Sequence, residues 1–245
     1  MSPLAIASII FGCALGSALV GMFITLPDHH REQDSKDAVK LVMGLIATIS
    51  ALVLSLLIAS ANSAYNAQRS ELQSLAANAI LLDRLLAAYG PETQETRDLL
   101  RSSVMATRDR IWAPGGVQPM TLDSVAGFLN GIQVLSPKTD AQRAIQGRSI
   151  QVSETLVQTR LLMVEQLGDE VALPVLTVLV GWICMLFLGF GLFARINLTV
   201  AIAVVSGALS VSGAIFLILE LSDPFGGILR ISDAPLRHVL VQIGR

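Results

Sequence analysis

The chain reads as an all-α membrane protein: four transmembrane helices, with a helical extramembrane domain extending from the second and third. Three observations predict this. Of the 245 residues 53% are hydrophobic and only 15% charged, against roughly 25% charged in ordinary soluble domains. Four apolar runs, 4–26, 41–61, 171–194 and 198–219, are each long enough to cross a bilayer core of about 30 Å at 1.5 Å of rise per residue. Between and beside them no period-two alternation competes with the helical pattern. The sequence divides accordingly into 1–61 (helices 1 and 2), 62–170 (helical domain), 171–219 (helices 3 and 4) and 220–245 (a short interfacial tail).

The first run is a membrane helix rather than a cleaved leader, because Met1–Leu4 carries no Lys or Arg and the run is long for a signal peptide. Gly12 and Gly16 form a GxxxG pair, which predicts close helix approach at that face. Pro27 ends the helix. The connector 27–40 then carries seven charges: Asp28, Arg31, Glu32, Asp34, Lys36, Asp37 and Lys40. Asp34 or Ser35 is the expected cap of the second helix, with Asp37 in its first turn, where the helix dipole favours a carboxylate.

The second run is the centre of the chain. Gly44, Thr48, Ala51, Ser55, Ala59 and Asn62 recur every three or four residues and share one helix face, while Leu45, Ile49, Leu52, Val53, Leu56 and Leu57 cover the rest. Tight packing of small residues explains such a stripe. So does a pore lining, with hydroxyls toward water and bulky residues behind. In the second reading Asp37 and Lys40 stand at one pore mouth, and Asn62 and Tyr65 at the other. No Gly or Pro interrupts the chain until Gly90, and Leu72, Leu75, Ala79, Leu82 and Leu86 recur at heptad-like spacing. The second helix is therefore expected to project beyond the membrane to Gly90-Pro91.

An amphipathic helix over 92–112 follows, with Leu99, Leu100, Val104 and Ile111 on its apolar side. After the break at 113–116 comes a short helix from Thr121 to about Val134. A long helix over 139–170 runs into the third span, where Pro174 is expected to introduce a kink. Arg195-Ile196-Asn197 turns the chain into the fourth run, which ends at Glu220 and Asp223. A carboxylate in a last helical turn opposes the dipole. Solvation and capping, a partner such as Arg69 or Arg230, or a bound cation would each offset this, and the last makes the pair a candidate ion or gating site.

Four spans put both termini and the helical domain on one side. Of the 17 Lys and Arg residues, 13 lie there and 4 opposite, which favours a cytoplasmic domain in a cell inner membrane. A net charge of −2 argues against nucleic-acid partners. Cys13 and Cys184 lie in apolar runs and read as small hydrophobes, not a disulfide or metal pair. His29 and His30 adjoin in one loop, where neighbouring side chains seldom converge on one ion; a pH-sensing histidine is the alternative to plain solvation there. With no nucleophile–base set, Gly-rich phosphate loop or metal cluster, neither catalysis nor a cofactor is expected.

Three segments, HHREQDSKDAVKLV (29–42), GLIATISALVLSLLIASA (44–61) and LELSDPFGGILRIS (219–232), together resemble a family of bacterial bestrophin-like membrane proteins. The layout of two spans, a helical domain and two spans matches along nearly the whole chain. The resemblance implies a homo-oligomer, a pentamer being the candidate, in which the second helix lines a central pore passing small inorganic ions, with anions favoured by the link to bestrophin chloride channels. The phenylalanine neck of those channels has no counterpart between Ala38 and Ala61, and their acidic calcium clasp is matched only loosely by Glu220 and Asp223. An ion channel is thus the leading reading. Its rivals are a non-conducting oligomeric scaffold or sensor whose helical domain binds a partner, and a transporter subunit, disfavoured because no charge lies deep in a span.

Overall fold

The computed structural model describes residues 2–24, 33–112, 129–166, 173–193 and 197–243, and all their regular structure is helical. The main helices are α1 (Pro3–Phe23), α2 (Gln33–Tyr89), α3 (Gln94–Ile111), α4 (Asp140–Gln166), α5 (Leu173–Phe193), α6 (Leu198–Leu221) and α7 (Ala234–Gln242). Four of them, α1, α2, α5 and α6, are long and apolar enough to span a membrane. The chain forms two compact units: residues 1–64 with 170–223, and residues 65–169 with 224–245. Helix α2 runs unbroken from the first into the second.

In the first unit, α1 packs against α5 and α6. Its buried residues Ile10, Ala14, Ala18 and Gly21 step by four, four and three, which places them on one helix face. They meet Leu176, Leu179, Ile183 and Phe187 of α5 and Ala208 and Ile215 of α6, with Val53, Leu54 and Leu57 of α2 closing the cluster. Lipid tails are as apolar as these side chains, so the association rests on close packing rather than on a hydrophobic drive. The closest approach is at Gly21 and Gly191. A Cβ on Gly191 would sit inside contact distance of the Ala18 carbonyl oxygen and 3.0 Å from Gly21 Cα. Gly12 and Gly16, the pair expected to mediate close packing, have nothing within 4 Å of where a Cβ would be. Within the chain, the tight crossing therefore uses the neighbouring Ala14/Ala18/Gly21 face.

The helix ends follow local chemistry. Ser2 Oγ accepts from Ala5 N at 3.3 Å, with Pro3 in the first turn of α1. Asn197 Oδ1 accepts from Val200 N at 2.8 Å to start α6. Gln33 is already helical, so the expected caps Asp34 and Ser35 lie inside α2. Pro174 is the second residue of α5. The kink expected at Pro174 concerns the junction with the residues before it. The expected continuity of α4 into α5 falls on residues 167–172, outside the described residues. The same holds for most of the short helix expected from Thr121, of which a helical stretch at 129–133 is described.

In the second unit, Leu72, Leu75, Ala79, Leu82 and Leu86 of α2 are all buried, together with Leu100, Val104 and Ile111 of α3 and Val152, Leu156 and Met163 of α4. Leu99, expected on the apolar side of α3, is exposed. It is about 100° around the helix from Leu100, and the 100/104/107/111 face is the buried one. Gly90 reverses the chain with φ 145°, a value that favours glycine. Thr93 Oγ1 ties the turn by donating to Leu86 O at 2.6 Å and, alternatively, to Gly90 O at 2.8 Å. Asp83 and Arg97 pair through two bonds, Nε to Oδ1 at 2.8 Å and Nη2 to Oδ2 at 3.1 Å, with the carboxylate almost fully buried.

Residues 224–243, expected as an interfacial tail, are built into this core through Phe225, Ile231, Leu236, Val239 and Ile243. Trp112 fixes them: its Nε1 donates to Ile231 O at 3.0 Å, and its ring meets Phe225 edge-on at 5.5 Å between centroids.

Candidate functional site

The candidate site is the membrane part of α2. Its packed face carries Ser50, Val53, Leu54, Leu57 and Ala61, which are buried or half-buried. All six residues of the small stripe, Gly44, Thr48, Ala51, Ser55, Ala59 and Asn62, are exposed on the chain by itself. They lie between the packed face and a greasy face of Leu45, Leu52 and Leu56, which are 61–70% exposed. The packing of one chain therefore accounts for neither face.

The hydroxyls of the stripe are locally inexpensive. Thr48 Oγ1 donates back to Gly44 O at 2.9 Å, a bond that satisfies the side chain within its own helix and leaves the oxygen's lone pairs outward. Asn62 is engaged by another group. At the start of α2, Lys40 Nζ bonds Asp37 Oδ1 at 3.1 Å, one turn apart, with both side chains more than half exposed. Such exposed pairs add little stability. Tyr65, expected beside Asn62 at the other mouth, is half-buried against the core of the second unit.

Sequence reasoning missed Ser50. It is the hydroxyl on the packed side of α2, 7% exposed, and among the described residues its Oγ has no hydrogen-bond partner. The spacing of polar residues pointed to Thr48 and Ser55 because they extend a regular stripe, whereas Ser50 lies about 120° or more away from both on the helical wheel. Also missed was a hollow of about 640 Å³ between α2, α5 and α6, lined by Lys40, Gly44, Phe187, Phe190, Phe193 and Gly207 among others.

Glu220 is 2% exposed whereas Asp223 is exposed, and neither carboxylate is without a partner. The last turn of α6 is closed by Ser222, whose N and Oγ both donate to Ile218 O, at 3.0 and 2.7 Å. Among the described residues no three His, Cys, Asp or Glu side chains gather as metal ligands. Both cysteines are free thiols. In the second unit Arg160 is buried, with Nη1 donating to Ser103 Oγ at 3.2 Å. Burial, and secondarily the neighbouring Arg110, lower its pKa to about 10.

The fold and the apolar helices define a multi-span, all-α membrane protein. The family of the Bestrophin-like domain matches residues 10–236, and the chain belongs to that family. Solved structures share the fold along the whole length. Two variants of a bacterial bestrophin homologue from Klebsiella pneumoniae are each 12% identical. One has a TM-score of 0.70 over 96% of this chain and 97% of that one, and the other 0.68 over 97% and 96%. A further crystal structure, of a membrane protein variant, is 12% identical with a TM-score of 0.69 over 97% of this chain and 100% of that one. No curated protein matches the chain.

Proposed function

We propose that several copies of this chain, five by the family resemblance, assemble around a central pore and conduct small inorganic ions across a bacterial inner membrane. Helix α2 turns Gly44, Thr48, Ala51, Ser55, Ala59 and Asn62 to the pore, with Asp37 and Lys40 at one mouth and Asn62 and Tyr65 toward the other. The helical domain, 62–170, lies in the cytoplasm, and the chain is not an enzyme. Anions are the favoured permeant class, on the family link alone. Glu220, buried at the end of α6, is the proposed gating carboxylate, with Asp223 beside it.

One observation carries this reading. The hydroxyl-bearing stripe of α2 is exposed on a single chain, whereas the small residues Ala14, Ala18 and Gly21 of α1 are buried where spans meet. Hydrocarbon offers no donor to the hydroxyl oxygens of Thr48 and Ser55, even where the hydroxyl proton is bonded within the helix as in Thr48. Turned to water at an oligomer axis, they are satisfied, and Leu45, Leu52 and Leu56 are left for lipid or a neighbouring subunit.

The test is ion flux through liposomes holding the purified protein. Wild type is expected to conduct, and Ser55→Trp to lower flux at least tenfold while keeping the same oligomer mass. An intact oligomer that carries no ions would reject conduction and favour the non-conducting scaffold. Unchanged flux in the tryptophan variant would reject α2 as the lining.

A further inference from the structure

A smaller hollow lies within the second unit, between α2, α3 and α4. It encloses about 30 Å³, where roughly 10–15 Å³ of such space already holds a water. Leu75 and Ala79 of α2, Leu100 of α3 and Leu156 of α4 give it an apolar wall. Set into that wall are Arg160 of α4 and Ser103 and Thr107 of α3, all three buried. Ser103, Thr107 and Arg110 step by four and three residues, so they share one face of α3.

We propose that this hollow is a binding site for one small monovalent anion of the chloride class, held by the Arg160 guanidinium and the Ser103 hydroxyl. Both groups present donors. A guanidinium carries only N–H groups and no acceptor. Ser103 Oγ accepts from Arg160 Nη1 at 3.2 Å, and among the described residues the Ser103 hydroxyl proton has no acceptor. Thr107 Oγ1 already donates to Ser103 O at 2.7 Å, so it stands by as a neutral neighbour. An occupant that only accepts suits such a lining.

Charge decides between an anion and a water. A buried cation is costly unless negative charge offsets it. Arg160 and Arg110 each have further partners within the chain. On balance, burial and then the like charge of Arg110 still prevail, and they lower the Arg160 pKa to about 10. A water would bring a lone pair; an anion brings a charge as well, and an apolar wall screens its attraction to the guanidinium little. A cation would be repelled by both arginines. None of these residues belongs to the stripe assigned to the pore, so the site does not depend on whether the chain conducts.

The experiment is thermal unfolding of the intact, detergent-solubilised protein in sodium chloride and in sodium gluconate at equal ionic strength, gluconate being too bulky for the hollow. Chloride is expected to raise the midpoint by about 3 °C or more over gluconate. Arg160→Met, which puts an apolar chain in place of the guanidinium, is expected to abolish that difference. Ser103→Ala keeps the guanidinium and is expected to raise the half-saturating chloride concentration about threefold or more; it decides the matter if Arg160→Met does not fold. In wild-type crystals grown in bromide, an anomalous-scattering peak is expected between Arg160 and Ser103. Equal midpoints in the two salts overturn the proposal, as does the full chloride response kept in either variant, which would place the bound anion elsewhere. A hollow without anomalous signal in the bromide crystals overturns it too and assigns the space to water.

Discussion

Replacing Gly191 by alanine tests the packing of the first unit most directly. The added Cβ would lie inside contact distance of the Ala18 carbonyl oxygen and 3.0 Å from both the Ala18 carbonyl carbon and Gly21 Cα. All three are backbone atoms, so no side chain can rotate away and α1 must move from α5. Overpacking of this kind costs about 1–3 kcal/mol, partly offset by about 0.5–1 kcal/mol of helix propensity gained on replacing glycine. At roughly 2–4 °C per kcal/mol for a chain of this size, the net loss of about 0–2.5 kcal/mol lowers the midpoint by up to about 10 °C, read by thermal unfolding of the detergent-solubilised protein. Gly12→Ala and Gly16→Ala are the controls. Their Cβ atoms meet nothing within 4 Å in the chain, so the fold of a single chain predicts no loss and a small gain. A Gly191→Ala midpoint raised by as much as that of the Gly12→Ala and Gly16→Ala controls, or a greater loss in Gly16→Ala than in Gly191→Ala, would refute the crossing described above.

Three further outcomes follow from the second unit and from α2. Asp83→Ala strands the Arg97 guanidinium, whose carboxylate partner is nearly fully buried. Loss of one member of such a pair costs about 3–5 kcal/mol, and a chemical-denaturation midpoint within error of wild type would contradict it. Trp112→Ala removes both the bond to Ile231 O and the edge contact with Phe225; residues 224–243 are expected to become the first site of limited proteolysis, with about 3–5 kcal/mol lost. Gly44→Ala fills open space in a helix interior and is expected to leave folding intact or to improve it by about 0.5–1 kcal/mol; a destabilised variant would mean that this position is packed against a neighbour in the assembly.

The sequence alone determined the class of fold, because membrane solvation acts on composition and length. Runs such as 41–61, charge-free and about 32 Å long as a helix, have few other stable solutions. It also determined the core face of α2 beyond the membrane, since Leu72 to Leu86 keep a helical spacing that only one face can satisfy. Where α2 stops was legible as well, in Gly90 and Pro91. Tertiary structure alone decided which small residues touch. Gly12, Gly16, Gly21 and Gly191 are indistinguishable as letters, and only the crossing of α1 on α5 selects the last two. It likewise decided that Ser50, not Thr48 or Ser55, faces the packed side of α2, and that the segment after Pro224 joins a core rather than standing apart. Periodicity defines the faces of a helix, but which face meets a neighbour depends on contacts between residues far apart in the chain, and those contacts form only when the helices assemble.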